Sequence, residues 1–271
     1  MFRLLLALVA CGAPSPKPAA PPPVAAPVAA PLAGPIDEPQ TGRSEQNGIA
    51  VSVLLDEANT GNGAASMFEV RMAPKATTGA RLAERAELWY FLTEGEVKGL
   101  WSSWSVELFR PAGTLVYVPK GAIRAVTATK TELRAIVVVV PGGRETSALP
   151  SSVPSSTQGG EGYPEALVAK KYGDATIYLD PKITAATPLS ASMLVLYAGA
   201  KLAEHVHTNE TEILYVLEGT GTITIAGSQS ALTPTSVFQI PKNTKHAFTA
   251  TTAIRALQIY TPPGPEQRLK K

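Results

Sequence analysis

An internal repeat constrains the fold of this 271-residue chain more strongly than any other feature of its sequence. Short blocks of matching residues recur in the same order and at a nearly constant offset. The matched blocks are residues 65–67 with 191–193, 79–84 with 199–204, 94–95 with 218–219, 118–120 with 240–242, and 134–135 with 255–256. Chance does not keep so many blocks in register, so the chain is predicted to contain two domains of one fold, at residues 47–144 and 164–268.

Each copy is predicted to consist of short β-strands. Apolar runs such as residues 115–118, 136–140 and 213–217 are rich in Val, Ile and Leu, and turn residues separate them at regular intervals. Helix patterns are weak, and an apolar fraction of 45% supports a sizeable core. The sequence therefore predicts an all-β protein with two tandem barrels or sandwiches, joined by a linker of Ser, Pro and Gly at residues 145–163.

The charge of the chain is nearly balanced. Lys and Arg number 24, Asp and Glu number 22, and the basic residues form no run longer than a pair, such as Lys270 and Lys271. Because phosphate binding needs a concentrated basic surface, nucleic acid is excluded as a partner.

The amino terminus resembles the signal peptide of a bacterial lipoprotein. Arg3 precedes an apolar run at residues 4–10, which is too short to span a bilayer. Residues 8–11 read Leu-Val-Ala-Cys and are similar to a lipobox. The resemblance implies a signal at residues 1–11, lipidation of Cys11, export, and anchoring to a bacterial membrane, with Gly12 indicating the outer membrane on its periplasmic or surface face. The alternative is an ordinary cleaved signal with an incidental thiol.

Residues 12–46 are predicted to form a disordered stalk. From residue 13 to about 42 this segment is mostly Pro and Ala with almost no charge, a composition that cannot form a packed core. It would hold the folded part away from the membrane surface; plain disorder without a spacing role is the alternative.

The second copy carries a pattern of metal-binding residues. Gly199 is followed at fixed spacings by His205, His207, Glu212 and Gly219. Side chains two residues apart on a strand point to the same face, so the two histidines are predicted to lie side by side. His246 follows the turn that starts at Pro241 and could enter the same barrel interior from another strand.

Three imidazoles and one carboxylate suit a divalent transition ion, namely Mn, Fe, Co, Ni, Cu or Zn, and leave coordination positions open. The chain has only three histidines in total, and all of them fall in this pattern.

The spacing resembles the first signature motif of the cupin family at every defined position, over a similarity that covers nearly all of residues 166–268. The second motif matches in part, since Thr235 and Asn243 stand where the family usually has Gly and Ala250 where it often has Asn. Asn243 is a mild departure because Asn tolerates a positive φ. The resemblance implies two cupin barrels, of the double-stranded β-helix or jelly-roll type, and one metal ion held by His205, His207, Glu212 and His246. A barrel that has kept the pattern but lost the metal is the alternative.

The first copy is expected to have the fold without the metal. Arg85 stands at the place of the first histidine and Arg124 at the place of His246, and Arg cannot be a ligand. If buried, Arg124 needs an anion. An internal carboxylate such as Glu84 or Glu87 is favoured over the carboxylate of a substrate.

Two functions remain open from the sequence. The first is a metal-dependent enzyme of the dioxygenase, decarboxylase, isomerase or lyase type that acts on a small oxygenated molecule, with Glu204 and Glu210 as the nearest candidates for proton transfer and Tyr215, Gln258 and Tyr260 as candidate interior residues. The second is a non-catalytic surface module that binds a small ligand or only a metal, with the first copy as a homodimer or domain interface.

Overall fold

The computed structural model describes residues 41–101, 104–146, 148–154, 164–172, 175–180 and 187–270. The predicted signal peptide, Cys11 and most of the predicted stalk lie outside these ranges, as do residues 155–163 of the predicted linker. Among the described residues, no helix has the length and apolar character needed to cross a membrane.

The first copy folds into two antiparallel sheets. Their strand orders are β1-β2-β3-β10-β5-β8-β12 and β11-β4-β9-β6-β7. The elements are β1 (Thr41–Gln46), β2 (Ile49–Leu55), α1 (Glu57–Thr60), β3 (Ser66–Met72), β4 (Arg81–Ala83), β5 (Ala86–Phe91), β6 (Gly95–Trp101), β7 (Trp104–Arg110), β8 (Leu115–Val118), β9 (Ile123–Thr127), β10 (Leu133–Val140), β11 (Ser151–Ser152) and β12 (Glu165–Leu167).

The second copy repeats this arrangement. Its sheets have the orders β13-β14-β15-β22-β17-β20 and β16-β21-β18-β19. The elements are β13 (Lys170–Tyr172), β14 (Ala175–Leu179), β15 (Ser190–Leu196), β16 (Lys201–His205), β17 (Thr211–Glu218), β18 (Gly221–Ile225), β19 (Ser228–Leu232), β20 (Val237–Ile240), β21 (His246–Ala250), β22 (Ile254–Thr261) and a 3₁₀ helix (Pro265–Lys270). The prediction of an all-β chain with two tandem barrels is confirmed.

The four sheets form successive layers with three apolar cores between them. Strand β5 illustrates this arrangement, because its side chains alternate between two of the cores. Leu88 and Tyr90 enter a core shared with the second copy, whereas Trp89 and Phe91 enter the interior of the first barrel. Since β5 is buried on both faces, all six of its residues are buried. The two larger sheets therefore pack against each other and make the first copy a domain interface.

Three short strands lie in or beside segments that the sequence assigned to linkers. Thr41–Gln46 was predicted as the end of the stalk but pairs with β2. Ser151–Ser152 was predicted as linker but pairs with β4, and Glu165–Leu167, at the predicted start of the second domain, pairs with β8 of the first. These strands are held by backbone hydrogen bonds at the edges of the sheets. Short polar segments have no hydrophobic pattern from which such pairing could be predicted.

Candidate metal centre

Four elements of the second barrel bring the predicted residues together. His205 ends β16 and lies directly opposite His246, the first residue of β21. Glu212 is near the start of β17, and His207 lies in the turn between β16 and β17. Residues distant in the chain therefore meet at one end of the barrel.

Strand alternation selects the other side chains that face this interior. On β17, Leu214 and Val216 lie in the core of the second barrel, so Glu212 faces the same way. On β22, Ala256 lies in that core, and Gln258 shares its face.

Tyr260 follows Gln258 on the same face of β22, and its ring centroid is 5.1 Å from that of His207. Tyr215, in contrast, lies in the core between the two barrels. Of the three predicted interior residues, Gln258 and Tyr260 are at the site and Tyr215 is not.

The ligand atoms converge on one point. One atom from each of His205, His207, Glu212 and His246 lies within 4.8 Å of all the others. The Nε2 atoms of His207 and His246 are 3.2 and 3.0 Å from Oε2 of Glu212. Despite these short distances, none of the three atoms makes a hydrogen bond of acceptable geometry to a described residue, and all three are buried.

Buried polar atoms without partners are costly. Their convergence is typical of a cation-binding site, because a bound ion accepts the lone pairs for which there is no hydrogen-bond donor. The residues present therefore fit a divalent transition metal.

Neighbouring groups orient the ligands. Nδ1 of His246 is 2.9 Å from the carbonyl oxygen of Thr244, and Nδ1 of His205 is 2.9 Å from that of Ala203. A carbonyl oxygen only accepts, so Nδ1 carries the proton in both rings and each Nε2 lone pair is available.

The carboxylate of Glu212 is held by a short chain of hydrogen bonds. Nε2 of Gln258 donates to Oε1 of Glu212 at 2.7 Å. The hydroxyl of Ser192 donates to Oε1 of Gln258 at 3.0 Å. This chain fixes the orientation of the Gln258 amide and leaves Oε2 of Glu212 facing the histidines. The repeat block at residues 191–193 contains Ser192, but the metal-binding pattern in the sequence did not include it.

The electrostatics keep Glu212 ionised. Burial raises its pKa, but the adjacent His207 and His246 outweigh burial and lower the pKa to about 2. For His246, burial lowers the pKa and Glu212 outweighs it, so the pKa is raised. For His205, burial dominates and the pKa is lowered. An ionised carboxylate beside imidazoles supplies the negative charge that a divalent cation needs.

The site is enclosed on most sides. Glu212, His246 and His207 are buried, with exposed fractions of 0%, 1% and 5%, whereas His205 is partly exposed. His205 is therefore the most solvent-accessible of the four candidate ligands.

Tyr260 is also buried, and burial together with Glu212 raises its pKa well above the ordinary value. Its phenol therefore stays protonated.

Neither acidic candidate for proton transfer is one of the converging residues. Glu204 is exposed, and its carboxylate pairs with Lys245 at 3.0 Å. Glu210 is only partly buried and does not belong to the converging group. Tyr260, which the sequence offered only as a lining residue, lies beside His207 and carries a hydroxyl group that can donate a hydrogen bond.

Equivalent backbone hydrogen bonds in the two barrels show which residues of the first barrel correspond to the candidate ligands. The amide of Asn243 donates to the carbonyl of His207 at 2.7 Å, and the amide of Gly121 donates to that of Ala83 at 2.8 Å. Ala83 therefore takes the place of His207.

Arg81 lies directly opposite Arg124, as His205 lies opposite His246. The sequence placed Arg85 at the position of His205, and this is wrong. Arg85 instead forms an ion pair with Glu145 at 2.8 Å.

The carboxylate position is kept in the first barrel. Glu87 lies opposite Val118 as Glu212 lies opposite Ile240. Arg124 is 1% exposed and pairs with Glu87 through two hydrogen bonds of 2.9 Å, while Nε1 of Trp89 donates to the same carboxylate at 2.6 Å. The expectation that an internal carboxylate neutralises Arg124 is confirmed for Glu87. Within the part of the chain that the structure describes, the first barrel has no converging group of metal ligands.

Comparisons with known proteins agree with this geometry. Residues 192–260 match the family model described as "Cupin domain". No curated protein matches the sequence significantly.

Among solved structures, the chain is similar to oxalate decarboxylase from Bacillus subtilis at pH 4.6, with 15% identity, a TM-score of 0.65, and coverage of 82% of this chain and 74% of that one. A structure of the same enzyme described for its Mn(II) centres matches with 15% identity, a TM-score of 0.66, and coverage of 83% and 76%. At this identity the similarity establishes the fold alone. Residues 192–260 of the second barrel are therefore similar to the cupin family, and the fold of the chain is similar to that of these solved structures.

Proposed function

We propose that the protein is a metal-dependent cupin enzyme that acts on a small oxygenated molecule in its second barrel. His205, His207, Glu212 and His246 would hold one divalent ion of Mn, Fe, Co, Ni, Cu or Zn. The observation that carries this proposal is the convergence of four ligand atoms within 4.8 Å. Several of these atoms are buried and have no hydrogen-bond partner in the described part of the chain.

The residues around the ligands suggest how such a site would work. A bound ion would act as a Lewis acid toward an oxygen of the substrate. Gln258 would hold Glu212 in place, and the phenol of Tyr260 would donate a hydrogen bond to an oxygen atom of the substrate. Substrate would enter beside His205, the partly exposed member of the group.

Metal content tests the ligand set. Untagged full-length protein is loaded with Mn, Fe or Zn, passed through a desalting column and analysed by inductively coupled plasma mass spectrometry. We expect about one ion per chain, lost in His205→Ala, His246→Ala and Glu212→Gln, because each removes a ligand. Glu204→Gln is the matched control and should retain the ion. Unchanged metal content in the three ligand variants would reject this site.

Turnover distinguishes the enzyme from a non-catalytic binding module. The metal-loaded protein is given oxalate, small diketones and sugar phosphates, and oxygen uptake, carbon dioxide release and product formation are followed. Oxalate is included because the similar structures are of an oxalate decarboxylase. Metal binding without turnover of any of these compounds would favour the alternative, in which the barrel only binds a metal or a small ligand.

We further propose that the first barrel holds no metal and that the protein is exported and anchored through Cys11. Arg81, Ala83 and Arg124 at the three histidine positions support the first point. The sequence of residues 1–12 supports the second. Incorporation of an alkyne-labelled fatty acid in a bacterial host should be abolished by Cys11→Ser, and labelling that survives in this variant would contradict the anchor.

A further inference from the structure

The first barrel contains a cavity at the place that corresponds to the metal centre of the second. Its volume is about 310 Å³, and both Arg81 and Arg124 line it. This volume is at the lower end of the range of about 300–1,000 Å³ that is typical of small-molecule sites. The cavity therefore suits a small ligand.

The charges in this cavity do not balance. Arg81 and Arg124 are directly opposite each other on paired strands, so their side chains share one face. Two like charges in this position repel each other unless anions compensate them. Glu87 supplies one negative charge, through Nε and Nη2 of Arg124, and none of the described residues that line the cavity is acidic. Two cations and one anion leave one positive charge.

Arg81 carries the uncompensated charge. Its Nε donates to the carbonyl of Thr78 at 3.2 Å, and within the described residues no ion pair joins it to an acidic group. The two hydrogen bonds from Arg124 to Glu87 do not involve the Nη1 atom of Arg124. Arg81 and Arg124 both line the cavity, but Arg124 is 1% exposed whereas Arg81 is only partly buried. The guanidinium group of Arg81 is therefore the one open to a ligand, and its planar donors match the two oxygens of a carboxylate.

The remaining walls indicate the rest of the ligand. Ile49, Val51 and Leu149 contribute apolar surface to the same cavity. A single excess positive charge balances a monoanion, whereas a phosphate dianion would leave a net negative charge close to Glu87.

We propose that the first barrel binds a small organic carboxylate with an apolar body, and that Arg81 is its principal anchor. This site needs no metal and is independent of the proposed function of the second barrel.

Calorimetry on the metal-stripped full-length protein tests this site. The probes are isobutyrate and benzoate, their neutral isosteres isobutyramide and benzamide, and inorganic phosphate. We expect at least one of the two carboxylates to saturate one site per chain and to bind at least about tenfold more tightly than its amide, because charge-assisted hydrogen bonds to Arg are lost in the amide. Absence of saturable binding by both carboxylates, equal affinity for the amides, or tighter binding of phosphate would overturn the proposal.

Variants assign the binding to Arg81. Arg81→Gln should weaken carboxylate binding by roughly tenfold or more, and Arg81→Lys should restore part of it. Arg144→Gln, on an exposed arginine, is the control and should bind as the unaltered protein does. Circular dichroism melts confirm that the variants are folded, since Arg81 is only partly buried. If Arg81→Gln is folded and binds with unchanged affinity, the carboxylate occupies another site and the proposal fails.

Discussion

At the scale of single residues, the two barrels satisfy one buried carboxylate in different ways. Glu212 in the second barrel faces three histidines, and its Oε2 has no hydrogen-bond partner among the described residues. Glu87 in the first barrel is fully paired by Arg124 and Trp89. The guanidinium group of Arg124 thus takes the position of an imidazole in the second barrel, and it neutralises Glu87 without a metal ion.

The ion pair between Arg124 and Glu87 can be tested by a double-mutant cycle. Arg124→Met leaves the charge of Glu87, which is 0% exposed, without a counterion. We expect a loss of about 3–5 kcal/mol in the free energy of unfolding, measured in urea, because an unpaired buried charge is costly. The double variant Arg124→Met/Glu87→Leu should recover most of this loss, and folded variants should bind metal with unchanged stoichiometry. A single variant as stable as the unaltered protein would contradict the pairing.

Gln258 is predicted to support metal binding without being a ligand. Gln258→Leu removes the donor to Oε1 of Glu212, and we expect metal affinity to fall by roughly 10–100-fold, as is typical when an outer hydrogen bond to a ligand is lost. Competition with a chelating dye measures the affinity. Gln229→Leu, at an exposed position of β19, is the control. Equal affinities in the two variants would mean that Gln258 does not orient the carboxylate.

At the scale of elements, turns with positive φ set the positions of the strands around the site. Asn243 has a φ of 62° and its amide bonds to the carbonyl of His207, which confirms that Asn serves where the family usually has Gly. Thr235 has a φ of 70° at the turn before β20, and Gly113 has a φ of 84° at the matching turn of the first barrel. A β-branched residue in this region is strained.

Exchanging these two turn residues should change stability in opposite directions. We expect Thr235→Gly to increase the free energy of unfolding by about 1 kcal/mol, because relief of strain exceeds the added entropy of glycine in the unfolded chain. Gly113→Thr should decrease it by about 1–3 kcal/mol, although the space beside Gly113 is open. Urea denaturation measures both. A stabilising effect of Gly113→Thr would show that backbone strain is not the cause.

At the scale of the whole molecule, the two barrels share one continuous core. Leu55 and Leu88 of the first barrel and Ile213 and Tyr215 of the second belong to it. The side chain of Gln239 also donates to the carbonyl of Asn62 at 3.1 Å across the two barrels. A barrel separated from its partner would expose a large apolar face to water.

We therefore predict that the two barrels unfold together. Differential scanning calorimetry should show one cooperative transition. Leu55 is 1% exposed in the shared core. Leu55→Ala should lower the midpoint of the whole transition and decrease the free energy of unfolding by about 2–5 kcal/mol. Two separate transitions, or a shift confined to part of the heat absorption, would show that the shared core does not couple the barrels.

The sequence by itself determined the repeat, the all-β class and the four converging residues of the second barrel. Repeated blocks and the spacing of His205 and His207 depend only on the order of residues, and strand alternation is a local property. Arg124 could be matched to His246 for the same reason, since both follow a proline at the same spacing.

Only the tertiary structure decided which residues share a face of a sheet and which residues of the two barrels correspond to each other. Strands of the two larger sheets are buried on both faces, so apolar residues do not alternate with polar ones and the facing of Tyr215, Gln258 and Tyr260 depends on register. Matching Gly79 with Gly199 in the sequence led to the wrong position for Arg85. In the structure, Lys75, with a φ of 67°, lies in the turn that corresponds to the turn at Gly199. Hydrogen-bond register is a property of paired strands, and it therefore decided that Arg81 stands opposite Arg124.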